Sequence, residues 1–479
     1  MFKNLFSLYR PSFPRNIAYM LQASEYDAIA YLKWLNKTKD FSRVSSRKQF
    51  VKTKFSSALY YILVFGIVIQ IIIGLVVISL GFSHKIIGGQ YYGAAVILSY
   101  PLIWPYLILF IIELAKYFVI APRYRVLVSQ AEQVFKSHPG KVIAVLGSYG
   151  KTSMKEFLNT VLSEGLKVAA SPANKNVALS HAQFAKSLKG NEDVVIVEFG
   201  EGKNGDIAKL AKLTHPDIAV ITGLAPVHQD HYKNLKQQAD DLLSIKEFVE
   251  PKNIYLNLDN FFKDIKLPNN ILTFSDSNVG DIKIGNVEVS FNKTTFDLIK
   301  GKNKSSFKTN VIGFHQVKYL ALVYLLASQL GLKDSEIRKG IAKTKAFSHR
   351  MEPYVLNGAK IIDDSYNGNI EGIKAGLNLL KRLAGKRKIY VTPGLVDQGK
   401  DSKLIHHEMG RLIAKANPDI VVLMDNSTTN SIKSGLEDEK FKGQLIIEDK
   451  PLDFYNNLGV FVAQDDLVLM QNDWPDNYK

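Results

Sequence analysis

The chain of 479 residues contains no cysteine. Disulfide bonds, thiolate-ligated zinc and a cysteine nucleophile are therefore excluded. Acidic residues are scarce near the amino terminus, where residues 1–54 hold eleven Lys or Arg side chains against Glu25, Asp27 and Asp40. The resulting excess of eight positive charges is half of the whole chain's net charge of +16. Such a local excess is typical of a segment that meets an anionic membrane surface.

The basic segment lacks the alternation of aromatic and basic side chains that single-strand binders use, so we expect a membrane and no nucleic acid as its partner. Residues 19–41 within it have the composition of an amphipathic helix. Two alternatives stay open for this helix: it lies on the membrane surface, or it packs against the rest of the protein. In either case residues 1–54 are expected to form a basic amphipathic segment in the cytoplasm.

Charge is absent from residues 57–82, in which Gln70 is the one strongly polar side chain. About 20 apolar residues are enough to cross the hydrocarbon core of a membrane as a helix. A second apolar stretch, residues 91–119, contains Pro101 and Pro105, which would kink a helix in a way that membrane bundles tolerate. Together the two stretches predict a pair of membrane spans, and a helix pair buried in a soluble core is the alternative.

The linker between the stretches is short, so we expect an α-helical transmembrane hairpin within residues 55–125. Basic residues flank both outer ends of this hairpin and are nearly absent from the linker, which places both ends in the cytoplasm. We therefore expect a multi-pass protein of the plasma membrane whose later domains are cytoplasmic. The flanking basic residues are Arg43, Arg47, Lys48, Lys52, Lys54, Lys116, Arg123 and Arg125.

A glycine-containing loop, Gly-Ser-Tyr-Gly-Lys-Thr-Ser at residues 147–153, follows a short apolar run and precedes a stretch with helical periodicity. Strand, glycine loop and helix are the context of a phosphate-binding loop, whose backbone N–H groups and helix amino terminus bind phosphate oxygens. Lys151 would reach the terminal phosphates of ATP, and the Thr152 hydroxyl would help to hold Mg²⁺. The candidate ATP-binding residues of the loop are Gly147, Ser148, Gly150, Lys151, Thr152 and Ser153.

Two further apolar runs predict buried strands that end near candidate metal ligands. Residues 194–199 end at Glu198 and Phe199, and residues 218–222 lead to His228. An acid at the carboxyl end of such a strand faces the nucleotide crevice of an open α/β sheet. The alternatives are that Glu198 caps the next helix and that His228 is a loop imidazole without a metal.

The glycine spacing of the loop, with two residues instead of four between Gly147 and Gly150, resembles that of the Mur ligases and the folylpolyglutamate synthetases. The Glu198 and His228 segments are similar to Mur ligase elements, and further similar motifs follow in the same order. The resemblance covers about residues 140–475. The later motifs are Gly313-Phe-His315, Ser348-His-Arg350 and, most specific, residues 361–369 (IIDDSYNGN), which resemble the branch that adds D-alanyl-D-alanine.

This resemblance implies an ATP-dependent ligase that forms an amide bond through an acyl phosphate. It implies that Thr152, Glu198 and His228 bind Mg²⁺, and that Arg350 contacts phosphate from the carboxy-terminal domain. Many family members carry a carbamylated lysine as a further carboxylate; Lys246 is the candidate, and an unmodified, solvent-facing lysine is the alternative. The remaining candidate nucleotide-binding residues are Asn257, Asp259, His315 and Asp364.

The predicted architecture is α/β, with a central parallel-sheet ATPase domain at residues 130–345 and a smaller Rossmann-like domain at residues 346–479. The resemblance implies a muramyl-peptide-like carboxylate substrate, UDP-linked or lipid-linked, and an amino acid or dipeptide as the amine. The hairpin stands where Mur ligases have a UDP-binding domain, and Gln316 and Tyr319 replace two asparagines of a family motif. A poly-γ-glutamate-type ligase and a nucleotide-binding scaffold without ligase activity are the alternatives.

Overall fold

The structure, a computed structural model, consists of two compact units, Met1–Arg125 and Val126–Asn477. Each unit is described by itself below. The residues that the structure describes are 9–24, 26–38, 50–83, 85–173, 175–226, 232–258, 262, 267, 269–366, 368–396 and 398–472.

The first unit is helical. Its helices are α1 (Phe13–Ala23), α2 (Ala28–Lys37), α3 (Lys54–Phe82), α4 (Gly89–Leu98) and α5 (Tyr100–Ala115). A π-helical turn (Lys116–Ile120) leads into α6 (Ala121–Ser137), most of which belongs to the second unit.

The stretch at residues 19–41, predicted as one helix, is divided between α1 and α2. The chain turns at Tyr26, whose φ is 61°, and the Asp27 carboxylate accepts a hydrogen bond from the N–H of Ala30 at 2.7 Å, which caps α2. Apolar side chains of both helices are buried against α3 and α5, so the packing alternative describes this segment. The cluster includes Phe13, Ile17, Leu21, Tyr31, Leu63, Ile108 and Ile112.

Two helical segments are long and apolar enough to cross a membrane, judged by length and composition: Lys54–Phe82 and Tyr100–Ser137. The second apolar stretch, expected as one kinked helix, is broken at Ser99 into α4 and α5, and Pro101 lies in the first turn of α5. Proline lacks an N–H and is tolerated at the start of a helix, which explains the position of the break.

Glycines allow α3 and α4 to pack closely. A Cβ atom on Gly74 would lie 2.8 Å from the carbonyl oxygen of Gly93, and one on Gly89 would lie 2.7 Å from that of Val77. Small residues at such contacts let helix backbones approach, as in membrane helix pairs.

The second unit begins with a domain built on a ten-stranded sheet. Its strands are β1 (Lys141–Leu146), β2 (Val168–Ala170), β3 (Val194–Glu198), β4 (Ile218–Ile221), β5 (Ile254–Asn257), β6 (Leu272–Phe274), β7 (Asn278–Val279), β8 (Ile282–Ser290), β9 (Lys293–Lys300) and β10 (Asn303–Thr309). Its helices are α7 (Lys151–Leu162), α8 (Ala178–Ala185), α9 (Asp206–Thr214), α10 (Leu235–Leu243), α11 (Val317–Gln329) and α12 (Asp334–Lys343).

The sheet has the order β10-β9-β8-β7-β6-β5-β4-β1-β3-β2. Strands β1 to β6 pair in parallel, whereas β6 to β10 pair antiparallel. The expected α/β class is thus confirmed, but a purely parallel sheet is wrong because hairpins extend its far edge.

Both faces of the sheet are covered by helices, and β1 alternates between the two cores. Ile143 and Val145 pack in one cluster with α7 and α11, while Ala144 and Leu146 pack in another with α9 and α10. Burial on both faces explains why β1 is a continuous apolar run in the sequence.

The carboxy-terminal domain has a six-stranded sheet in the order β11-β12-β16-β13-β14-β15, in which only β11 is antiparallel to its neighbour. Its strands are β11 (Glu352–Leu356), β12 (Ala359–Asp364), β13 (Lys388–Thr392), β14 (Ile420–Met424), β15 (Gln444–Glu448) and β16 (Leu467–Gln471). Its helices are α13 (Ile370–Arg382), α14 (Ser402–Ala416), α15 (Thr429–Asp438), α16 (Pro451–Asn456) and α17 (Leu458–Phe461).

Candidate functional site

The site lies at the carboxyl ends of the central parallel strands. β1 pairs with β3 on one side and β4 on the other, so the strand order reverses around it. Open α/β sheets bind ligands in the crevice at such a reversal. Gly147 follows β1, Glu198 ends β3, Thr222 follows β4 and Asn257 ends β5, so all four lie at one edge of the sheet.

The loop between β1 and α7 requires glycine at both of its ends. Gly147 has φ 132°, and a Cβ atom there would lie 2.5 Å from the Thr222 hydroxyl. Gly150 has φ 76°, and a Cβ atom there would lie 2.6 Å from the Tyr319 hydroxyl. Only glycine adopts such backbone angles readily. The tight turn lets α7 begin at Lys151 directly after the loop.

Lys151 and Ser148 contact polar groups inside this turn. Lys151 Nζ donates a hydrogen bond to the carbonyl oxygen of Gly147 and lies 4.0 Å from Glu201 Oε1. Ser148 Oγ accepts a hydrogen bond from Gln238 Nε2 at 3.0 Å. Ser153 lies in the first turn of α7. A positive helix end and a lysine are thus grouped where anionic phosphates could bind.

Thr152 and Glu198 come together from different elements. Thr152 Oγ1 donates a hydrogen bond to Glu198 Oε1 at 3.2 Å, and Lys155 Nζ lies 3.5 Å from Glu198 Oε2. The Glu198 side chain is buried, and Oε2 has no hydrogen-bond partner among the residues that the structure describes. A hydroxyl beside a buried carboxylate with a spare oxygen matches the oxygen ligands that Mg²⁺ prefers, so these residues fit a magnesium site.

Asn257 and Tyr319 both bind the backbone that follows β4. Asn257 Nδ2 donates to the carbonyl oxygen of Thr222 at 2.8 Å, and Tyr319 Oη donates to the same oxygen at 3.0 Å. Tyr319, which stands where the family motif has an asparagine, fills the space beside Gly150. Its hydroxyl thus connects α11 to the backbone beside the glycine loop.

His315 lies in a short 3₁₀ helix (Phe314–Gln316) ahead of α11. Its Nε2 is 2.9 Å from Gln316 Nε2, and burial lowers the pKa of His315 to about 4. A neutral imidazole at neutral pH could accept or donate one hydrogen bond to a base or sugar.

Arg350 and Asp364 stand together at the start of the carboxy-terminal domain. The Arg350 guanidinium lies over the Tyr366 ring, 4.2 Å from its centroid. Burial lowers the pKa of Arg350, and the carboxylates of Asp364 and Glu198 oppose this shift.

Asp364 already has protein partners. It accepts hydrogen bonds from Gln471 Nε2 at 2.8 Å and from the N–H of Met351 at 3.2 Å. Burial raises the pKa of Asp364 to about 6. These contacts hold the segment around Arg350, whose neighbours His349 and Met351 have φ of 60° and 50°.

Three candidates from the sequence are not part of this cluster as described. His228 and Asp259 lie outside the described residues. Lys246 lies in a 3₁₀ helix (Ser244–Glu247) with its side chain exposed, in agreement with the solvent-facing alternative.

The structure adds two residues that sequence reasoning missed, Glu201 and Gln238. Glu201 is 4% exposed and lies beside Lys151, and Gln238 on α10 contacts Ser148. The position of Glu201, three residues beyond Glu198 at a strand end, was a usable signal. Gln238 had none, because helical amphipathicity does not distinguish a buried glutamine from a surface one.

Comparison with protein families matches both domains of the second unit. The Mur ligase middle domain matches residues 145–327, and the Mur ligase glutamate ligase domain matches residues 349–471.

Curated relatives include UDP-N-acetylmuramoyl-tripeptide–D-alanyl-D-alanine ligases. The enzyme of Buchnera aphidicola is 27% identical over 286 residues, which are 58% of this chain and 62% of the relative. That of Escherichia coli is 25% identical over 291 residues, which are 59% of this chain and 64% of the relative. The alignment therefore spans less than two thirds of these relatives.

Solved structures share the fold. MurF from Thermotoga maritima in complex with ADP superposes with a TM-score of 0.64 at 22% identity, covering 73% of this chain and 80% of that one. MurF from Acinetobacter baumannii gives the same TM-score at 20% identity, covering 73% and 77%. With a middle domain and a glutamate ligase domain in the family's order, the chain belongs to the Mur ligase family.

Proposed function

We propose that the protein is an ATP-dependent acid–amino-acid ligase that acts through an acyl phosphate at a membrane. The observation that carries this proposal is the hydrogen bond from the Thr152 hydroxyl to the buried Glu198 beside the phosphate loop, at the carboxyl ends of the parallel strands. Lys151 at the start of α7 supplies a cation there, and we propose that Arg350 of the carboxy-terminal domain supplies a second, which suits the transfer of a phosphoryl group to a substrate held between the two domains.

The reaction joins a carboxylate to an amine, which is unfavourable in water at equilibrium and is also slow because an unactivated carboxylate has no good leaving group. The substrate carboxylate attacks the γ-phosphorus of ATP and ADP leaves; the amine then attacks the acyl carbon and phosphate leaves. The protein's part is to position the reactants and neutralise charge.

In this proposal the chain's own residues have distinct tasks. Lys151 leaves the Gly147 carbonyl and binds the terminal phosphates, and Arg350 binds the transferred group from the other domain. Asn257, His315 and Asp364 are proposed nucleotide contacts, the last of them requiring an exchange of its present partners. Thr152 and Glu198 would hold Mg²⁺, with His228 as the further proposed ligand, and Mg²⁺ supplies neutralisation of phosphate charge when bound.

The substrates are proposed from the relatives' names. Both curated relatives join D-alanyl-D-alanine to a UDP-linked muramoyl tripeptide. We propose a muramyl-peptide-like carboxylate and an amino acid or dipeptide as the amine. The family domains begin at residue 145, so residues 1–125 lie outside both of them, and we propose a separate task for this part of the chain.

That task is proposed to be a transmembrane hairpin made of α3 and the helical run from α4 onward. Only 17% of the most apolar window of α3 is buried, whereas the core helix of a soluble protein would be mostly covered. Exposed side chains along α3 include Phe65, Ile69, Ile72, Ile73 and Val76. The hairpin would hold the catalytic domains at the cytoplasmic face, beside lipid-linked precursors.

The test is ADP release by the purified full chain in detergent, with UDP-linked and lipid-linked muramyl peptides offered in turn with amino acids and D-alanyl-D-alanine. We expect release that requires both a carboxylate and an amine. ATP hydrolysis at full rate without any acceptor would contradict ligation and favour the scaffold ATPase. Release with polyglutamate and glutamate alone would favour a poly-γ-glutamate-type ligase.

The variant that tests the phosphate loop is Lys151→Ala. Lys151→Ala should abolish turnover while the circular dichroism spectrum is unchanged, because the phosphates lose their nearest cation. Retained turnover in Lys151→Ala would overturn the proposed function.

A further inference from the structure

Glu201 is a buried acid that is poorly compensated: burial raises the pKa of its carboxyl group, and the nearby Lys151, Ser148 and Gln238 oppose this rise only in part. Its side chain is 2% exposed, and neither carboxylate oxygen has a hydrogen-bond partner among the described residues. An ionised carboxylate is rarely buried in this way unless a cation or several donors compensate it. Asp241, a neighbouring acid, shows the usual solution, because it accepts hydrogen bonds from the N–H of Gly205 at 2.7 Å and from Tyr232 Oη at 3.0 Å.

Lys151 does not fully compensate Glu201. Its Nζ is 4.0 Å from Glu201 Oε1, beyond hydrogen-bond length, and it donates instead to the Gly147 carbonyl. When Lys151 turns toward bound phosphates, Glu201 loses its nearest cation. The carboxylate then needs a different positive charge at the same place.

Glu201 is not alone in having an unused oxygen. Glu198 Oε2 and Gln238 Oε1 are also buried without a hydrogen-bond partner in the described part of the chain. Each of the three side chains lies against the phosphate loop or the helix it opens: Gln238 contacts Ser148, Glu201 approaches Lys151 and Glu198 contacts Thr152. Carboxylate and amide oxygens are the ligands of hard divalent cations.

We propose that Glu201 is a ligand of a divalent cation that binds beside the phosphate loop together with the nucleotide. This inference rests on the nucleotide site of the proposed function. Glu201 would supply the carboxylate for which the family resemblance made a carbamylated Lys246 the candidate; the side chain of Lys246 is exposed. A glutamate needs no modification by CO₂, so the site would be complete as translated.

The experiment counts Mn²⁺ ions bound to the full chain in detergent with a non-hydrolysable ATP analogue, by electron paramagnetic resonance of free Mn²⁺. We expect Glu201→Gln to weaken the binding of one Mn²⁺ at least tenfold, with metal-free binding of the analogue within about twofold of wild type. Lys246→Gln and Glu247→Gln, both on the exposed 3₁₀ helix, should bind Mn²⁺ as wild type does.

Unchanged Mn²⁺ binding in Glu201→Gln would overturn the proposal, as would loss of an ion in Lys246→Gln. If Glu201 were instead the base that deprotonates the amine, Glu201→Gln would leave the number of bound Mn²⁺ ions unchanged, and that result contradicts the proposal. If Glu201→Gln does not fold, Glu201→Asp decides: weaker Mn²⁺ binding supports the proposal, and wild-type binding contradicts it. Turnover is not measured, so failure here is distinct from failure of the ligase assay.

Discussion

His181 shows how a single buried residue positions the acid at the end of β3. Its Nε2 lies 2.9 Å from the carbonyl oxygen of Glu198, while the Glu198 N–H donates to Ser171 Oγ at 3.1 Å. Lys155, fully buried, donates to the carbonyl oxygen of Ser171 at 2.9 Å and ion-pairs with Glu198. These contacts fix both the backbone and the side chain of Glu198.

The buried imidazole makes stability depend on pH. Burial lowers the pKa of His181 from 6.5 to about 4, so between these values the unfolded chain binds more protons than the folded one. The contribution of neutral His181 to the free energy of unfolding should therefore be complete above pH 6.5. As the pH drops toward 4, the free energy of unfolding should fall by up to about 3 kcal/mol. Urea unfolding at pH 7 and pH 4.5 measures this. His181→Gln should show a smaller fall, and an equal fall in both proteins would contradict the assignment.

Some site residues were predictable from sequence and others were not, for a physical reason. Lys151 and Thr152 stand in one contiguous loop motif, and Glu198 ends an apolar strand, so local patterns marked them. Lys155 and Gln238 reach the site only because α7 and α10 pack beside the same strand ends. Contacts between residues that are distant in sequence leave no local pattern to detect.

At the scale of elements, the turn between β1 and α7 is held by shape as much as by charge. Tyr319 on α11 occupies the space beside Gly150, and Tyr149 lies over Gly223. The two loops at the strand ends therefore support each other. A substitution that changes the shape of one of these loops should therefore weaken phosphate binding by the proposed site as a whole.

An alanine at Gly150 has two costs, the unfavourable positive φ and the steric contact with Tyr319. Comparison of Gly150→Ala with Gly190→Ala separates them. Both glycines have φ near 76°, but nothing lies within 4 Å of a Cβ on Gly190, whereas one on Gly150 would meet Tyr319 Oη at 2.6 Å. Gly190→Ala should lose roughly 1–2 kcal/mol of stability from the backbone alone. Gly150→Ala should lose more and also bind the ATP analogue more weakly, as calorimetry would show. Equal losses in the two variants would rule out the contact with Tyr319.

The antiparallel extension of the central sheet was not predicted. Strands β8, β9 and β10 are partly exposed, so they lack the continuous apolar runs that mark β1 and β3. β9 and β10 are joined through Gly301, whose φ is 58°, in a two-residue hairpin turn. The parallel strands that position the site could be predicted, because strands buried on both faces are continuous apolar runs in the sequence.

At the scale of the whole molecule, the absence of cysteine permits a direct test of the proposed hairpin. A single introduced cysteine has no background in labelling with a membrane-impermeant maleimide. Lys85→Cys, in the linker between α3 and α4, should be labelled in intact cells. Lys141→Cys, exposed at the start of β1, should be labelled only after lysis.

The opposite pattern would reverse the proposed orientation. Labelling of both positions only after lysis, together with release of the chain by alkaline carbonate, would remove the membrane-spanning proposal. The ligase assay in detergent would be unaffected by either result.

Gln70 gives the apolar helical unit a set of polar contacts that connects α3 with α4 and α5. Its Nε2 donates to the carbonyl oxygen of Val96 at 2.7 Å and to Ser99 Oγ at 3.0 Å, and its Oε1 accepts from Trp104 Nε1 at 2.8 Å. Val96 lies in the last turn of α4, where helix carbonyls lose their partners ahead of Pro101. The Gln70 amide thus donates hydrogen bonds to polar groups at the break between α4 and α5.

The glycine contacts and Gln70 both oppose a slide of α3 along α4 by one turn. A side chain in the place of Gly74 or Gly89 would meet a backbone carbonyl, and the Gln70 amide and the Trp104 indole would lose each other as partners, which is costly for polar groups that water does not reach. The Val96 carbonyl would keep the Ser99 hydroxyl as a donor. Gln70 therefore helps to set the alignment of the helix pair, because its hydrogen bonds to Val96, Ser99 and Trp104 form only when α3 lies level with the interruption at Ser99.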